Sequence, residues 1–210
     1  MKNLHKKQLR LSRRGFWLVC ALLVCLRLAL TSFQQAYTWV GGAPLDDELM
    51  FRAAQNITAG EWLGAYDYLT LSKAMFFPVW LALLHALHLP YLVAGAALWC
   101  GAALLAAFAF SPLWRKKRPE QGRVLTLALF AALAFLPSSW AAYTLRVYRD
   151  NIFPALCLYF FAGMAGMHAI IGGRGRQERR RIGDAFARIL IGRKGGQIGG
   201  LLRDCRVAIF

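Results

Sequence analysis

Three carboxylates stand in succession at Asp46, Asp47 and Glu48, just after Pro44 and ahead of a stretch with helical spacing. Adjacent carboxylates at a water–membrane boundary repel one another. One of them then holds its proton to higher pH, or a cation is recruited, and either outcome suits a general base or a metal ligand. The plainer reading is a helix N-terminus: Asp46 or Asp47 caps a helix running to about Ala59, with Gly60 as its stop and Leu49, Ala53, Asn56 and Ile57 on one face. Other residues with chemical potential are Lys73 and the segment Arg146-Val-Tyr-Arg149-Asp150-Asn151. Each has a structural reading beside the chemical one, since Lys73 and Arg149 suit headgroup anchoring and Asp150 suits a cap. His85 and His88 sit three apart on an apolar helix with no third ligand in view. Of Cys20, Cys25, Cys100, Cys157 and Cys205, four lie within apolar runs and none forms a CxxC pair, so they read as small buried residues rather than a disulfide or zinc framework. Asn56-Ile57-Thr58 matches a glycosylation sequon by coincidence.

The elements that must position these residues are membrane spans. Hydrophobic residues make up 58% of the chain and charged ones only 17%, too few for an ordinary soluble surface. The net charge of +16 is confined to blocks between apolar runs, as for loops facing anionic lipid. Neither a basic helix nor an aromatic–basic motif of the kind that reads bases is present, so nucleic acid is not expected as a partner. Residues 1–14 are basic without an acid, and Gly15–Leu30 is apolar except for Arg27, which is near enough to the helix end to snorkel. The run passes into Thr31–Ala36 without a signal-peptidase motif, so it is expected to stay as a first span.

Residues 34–73 hold five of the ten acids and form a polar, aromatic loop. Ala74–Leu89, closed by Pro90, covers about 24 Å as a helix, short of a hydrocarbon core of about 30 Å. Charge parity decides its fate. If it crosses, Arg115, Lys116, Lys117 and Arg118 fall outside; if it lies at the outer interface, every basic block falls inside. The expected fold is therefore all-α and polytopic: spans at 15–33, 91–114, 124–143 and 152–171, juxtamembrane helices in an outer loop at 34–90, a basic inner loop at 115–123, a short outer loop at 144–151 and a basic inner tail from 172. A Phe76–Leu89 helix lies along the membrane in this scheme. Trp62, Trp80, Trp99, Trp114 and Trp140 are expected in interfacial belts. The tail carries ten bases against three acids with interleaved glycine, the composition of a disordered or membrane-skimming segment.

Asp46-Asp47-Glu48, the following helix, Gly60-Glu61-Trp62-Leu63-Gly64, Leu71-Ser72-Lys73 and Phe76-Phe77-Pro78-Val79-Trp80-Leu81 together resemble the first outer loop of the GT-C membrane glycosyltransferases. The branch in question contains lipid A aminoarabinose transferases and protein O-mannosyltransferases, and the resemblance covers about residues 10–170. It implies inverting transfer of a sugar from a polyprenyl-phosphate donor to an extracytoplasmic acceptor, at a bacterial inner membrane. It also implies that the loop aspartate, Asp47 (or Asp46 with a one-residue shift), accepts the acceptor's proton, and that Asp150 is a second acidic position. Glu48 completes the acidic motif. Lys73, Arg146 and Arg149 would hold the anionic phosphate as its charge grows. A divalent cation bridging Asp47 and Asp150 is compatible with the pattern, though no cofactor is specified. Members of the class carry more spans, so the chain reads as the N-terminal part of such an enzyme, with membrane lipid and a lipid-linked sugar as partners. The rival expectation is a non-enzymatic membrane protein, either an assembly subunit or an inactive remnant. A transporter ranks last, because the spans carry almost no ionisable residue besides Arg27.

Overall fold

The computed structural model describes residues 11–38, 44–62, 64–65, 74–115, 121–140, 142–169 and 171–172. Lys73, Cys205, most of the basic cluster after Arg115 and nearly all of the basic tail lie outside the described residues. The chain divides into two compact units at Gly166 and Met167; the last helix runs across that boundary, and the packing described below lies within the first unit. The architecture is all-α: among the described residues there is no strand, only one isolated bridge between Tyr37 and Arg146.

Helix α1 spans Arg13–Ser32 and starts where the Ser12 hydroxyl accepts the Gly15 N–H, satisfying one of the donors that a helix N-terminus leaves open. In chain order there follow α2 (Pro44–Ala59), α3 (Phe76–Ala86), α4 (Tyr91–Phe110), α5 (Gly122–Ala134) and α6, residues 153–169. One-turn helices at Pro112–Arg115 and Ala142–Leu145 and 3-10 turns at Pro137–Trp140 and Arg149–Asn151 extend or link them. Four stretches are long and apolar enough to cross a membrane: Arg13–Ser32, Tyr91–Arg115, Gly122–Trp140 and Arg149–Ala169. On α1, Leu18, Leu22, Leu26 and Leu30 recur every fourth residue and are 43% to 61% exposed. On α6, Phe160, Phe161 and Met164 are exposed as well. Continuous apolar faces of this kind have no stable place in water. This is a membrane protein.

The spans pack through small side chains. Ala102, Ala103, Ala106 and Ala107 of α4 are fully buried, and Cys100, Ala103 and Ala107 meet Phe16 and Cys20 of α1 and Phe130 and Ala134 of α5. Small residues let helix backbones approach closely where lipid gives no hydrophobic drive for association. The reading of Cys20 and Cys100 as buried core residues agrees with this, whereas Cys25 is exposed. Trp99 and Trp114, expected in interfacial belts, make hydrogen bonds within the bundle. The Trp99 Nε1–H donates to the Leu133 carbonyl at 2.9 Å, tying α4 to α5, and the Trp114 Nε1–H lies 3.1 Å from the Thr126 hydroxyl.

Helix α3, with 11 residues, is about 16 Å long and far short of a bilayer core. It packs against α2 and ends in a tight turn. His88 adopts a left-handed φ of 54°, the Leu89 N–H reaches the Leu84 carbonyl, and Pro90 starts the next helix. Glycine normally occupies that capping position because a Cβ is strained there. His88→Gly is therefore expected to stabilise the fold by about 1 kcal/mol, visible as a raised melting temperature in detergent. The His85 and His88 rings stack with centroids 6.4 Å apart on an exposed surface, and among the described residues no group of three ligands suited to a metal includes them.

Candidate active site

Helix α2 begins at Pro44, a residue whose fixed φ and missing N–H suit the first helical position. Asp46 and Asp47 therefore lie inside the first turn rather than at the cap expected for them, still at the positive end of the helix dipole. The C-terminal stop is as expected: Gly60 has φ 82°, its N–H reaches the Ile57 carbonyl, and the Glu61 N–H reaches the Asn56 carbonyl. The buried face of α2 is one residue away from the expected one. Asp47, Met50 and Ala54, at i, i+3 and i+7, are the fully buried positions, while Leu49, Ala53, Asn56 and Ile57 are half-buried. This register directs Asp47 inward, leaves Asp46 half-buried, and leaves Glu48 exposed and paired with Arg52 at 2.7 Å.

Asp47 meets Arg146, nearly a hundred residues away in sequence. Arg146 donates from Nη2 to Oδ1 at 2.6 Å and from Nε to Oδ2 at 3.1 Å, a bidentate contact in which Asp47 is almost fully enclosed and the arginine side chain is 22% exposed. Charge-assisted forks of this kind are the strongest of ordinary side-chain hydrogen bonds. They raise Arg146 above its usual value, with the Asp47 hydrogen bonds as the leading cause and Asp150 adding to the effect through space.

The backbone under Arg146 is held from three sides. The Val147 N–H donates to the Tyr37 carbonyl at 2.8 Å, and the Tyr37 N–H donates to the Leu145 carbonyl at 3.1 Å, which joins the exit of α1 to the entry of α6. The Tyr91 hydroxyl, at the start of α4, lies 2.9 Å from the Tyr148 carbonyl and 3.1 Å from that of Arg146, and it accepts the Tyr148 N–H. Met50, Phe77, Val147, Tyr148 and Ile152 form an apolar floor, with Tyr148 also beneath the guanidinium carbons of Arg146 (4.9 Å) and Arg149 (5.4 Å). The expected site residues thus gather in part: Asp47, Arg146, Arg149 and Asp150 belong to one region, Glu48 faces solvent, and Lys73 is outside the described residues.

Next to this region a cleft of about 50 Å³ opens between the C-terminal ends of α1 and α5 and the N-terminal ends of α4 and α6. Asp150 and Asn151 line it, and so does Arg27, which is 3% exposed. Arg27 therefore does not snorkel as expected from its place in α1. Its Nη2 donates to the Ser139 carbonyl at 2.9 Å, and its guanidinium carbon lies 3.4 Å from the centre of the Trp140 ring. A lone charge in an apolar span was the only signal in the sequence for this. Nothing in local spacing foretold Tyr37 or Tyr91. Comparisons with protein-family models, with curated proteins and with solved structures found no match.

Proposed function

We propose that the chain acts in moving a sugar from a polyprenyl-phosphate carrier to an acceptor hydroxyl at the outer face of a bacterial inner membrane. The observation that carries this reading is the Asp47–Arg146 pair, which brings an acidic helix start and a basic segment together at the ends of the spans. In this scheme Asp47 takes the acceptor's O–H proton as the acceptor oxygen bonds to the sugar's anomeric carbon. The bond from that carbon to the phosphate oxygen breaks, and the phosphate leaves with the electron pair. Arg146, drawn from Asp47 toward the arriving phosphate, would free the carboxylate as it stabilises the leaving group. Arg149 on the exposed side adds a second cation, and Asp150 orients the acceptor.

The pair also bears on topology. Between Asp47 and Arg146 lie α3, α4 and α5, and side chains in contact must share a side of the membrane. An even number of crossings between them is required, which supports α3 at the interface and α4 and α5 as the two crossings. A second reading, a non-catalytic membrane subunit, draws on the same geometry: both Asp47 oxygens are engaged by Arg146, as in a structural latch. Transfer from a panel of polyprenyl-phosphate sugars by membranes carrying the full chain separates the two. Asp47→Asn is expected to lower transfer by about a hundred- to ten-thousand-fold with insertion unchanged. Transfer at the wild-type rate in Asp47→Asn would remove the catalytic assignment.

A further inference from the structure

Arg27 is a charged side chain buried within a span, at 3% exposure. An arginine within a span persists where it is paired or lines a polar cavity, and no carboxylate among the described residues forms an ion pair with it. The Ser139 carbonyl and the Trp140 ring engage Nη2 and one face of the guanidinium, but Nε and Nη1 have no hydrogen-bond partner among the described residues. These buried donors belong to a residue lining the cleft, with Thr31, Gln34, Asp150 and Asn151 around the same space. At about 50 Å³ the cleft exceeds the roughly 10–15 Å³ that a single water needs, so it has room for a small polar group. Arg27 lies five residues before the end of α1, about 7.5 Å along the axis. That depth is within reach of headgroup phosphates at the end of the spans.

We infer that the Arg27 cleft binds a phosphate group, with its oxygens on Nε and Nη1, and that the group carries a hydrogen donor directed at Asp150. The fork of an arginine matches phosphate geometry. Asp150 lines the same cleft without pairing to Arg27, so a bare anion is disfavoured there and a neighbouring N–H or O–H is favoured. Asn151 lines the cleft too, with its Oδ1 packed against Gly95 of α4 and no hydrogen-bond partner for that oxygen among the described residues. An ethanolamine phosphate meets both demands, whereas a choline phosphate lacks the donor. The site requires no transfer chemistry; it shares Asp150 with the sugar-transfer reading, and Arg27, which that reading does not use, tells the two apart.

The test is lipid retention by the full chain in detergent, followed by native mass spectrometry, with phosphatidylethanolamine, phosphatidylcholine and inorganic phosphate as probes. The wild type is expected to retain the ethanolamine lipid about tenfold better than the choline lipid, Arg27→Met to lose that retention, and Asp150→Asn to narrow the preference. Displacement of the lipid by inorganic phosphate would show that the phosphate group binds alone and would overturn the part assigned to the donor and Asp150. A lipid preference that phosphate leaves intact would assign it to a lipid headgroup. Equal retention of both lipids by the wild type, or unchanged retention in a folded Arg27→Met, would overturn the inference. If Arg27→Met does not fold, the wild-type comparison and Asp150→Asn decide it.

Discussion

Arg146→Met is expected to cost about 3–5 kcal/mol of stability, because it leaves the Asp47 carboxylate enclosed without its partner. Asp47→Asn should cost less, about 1–2 kcal/mol, since the stranded guanidinium retains a route to water and its stack on Tyr148. The asymmetry follows from burial: the carboxylate is held inside α2's packed face and the arginine enters from the side. Unfolding in mixed micelles, with the double variant closing a thermodynamic cycle, measures the coupling between the two. A coupling under about 0.5 kcal/mol would place the pair with ordinary surface ion pairs and weaken its role in joining the two segments.

The second large effect lies within the spans. A Cβ on Gly101 would overlap the Tyr159 hydroxyl oxygen and sit 3.3 Å from the ring carbon that bears it. The ring is rigid, so α6 must shift or the tyrosine must leave its rotamer. Gly101→Ala is expected to destabilise by about 1–3 kcal/mol through overpacking. Tyr159→Phe removes the offending oxygen and leaves a contact of 3.3 Å, tight enough that the ring must give by a few tenths of an ångström. The pair of substitutions together should therefore recover most of the loss. A double variant as unstable as Gly101→Ala alone would show that α4 and α6 do not pack in this register.

Hydropathy alone placed the four long helices to within a few residues, because an apolar run of bilayer length has few other uses. The brevity of α3 was equally plain, from Pro90 and the polar residues before Ala74. The candidate site was legible as a set of residue types but not as a set of contacts. Asp46 and Asp47 differ by 100° around a helix, and periodicity in Leu49, Ala53 and Asn56 pointed to a neighbouring face. The choice of Asp47 depends on Met50 and Ala54 packing beside it, against α3 and the 147–152 segment, and that is tertiary information. Arg146 enters as a phosphate ligand only through the family resemblance, and its bond to Asp47 crosses 99 positions of sequence that no local pattern connects. Arg27 failed for a related reason. An arginine near a helix end reads as snorkelling unless Ser139 and Trp140 are known to close over it.

The claim on which the rest depends is that the acidic loop and the 146–151 segment share the outer face and form one site. Single cysteines at Glu61, Arg115 and Arg149, all exposed positions, test it by labelling intact cells with a membrane-impermeant maleimide against the wild-type background. Glu61→Cys and Arg149→Cys should label in intact cells, and Arg115→Cys only after permeabilisation. Labelling of Glu61→Cys and Arg149→Cys from opposite sides would contradict the account.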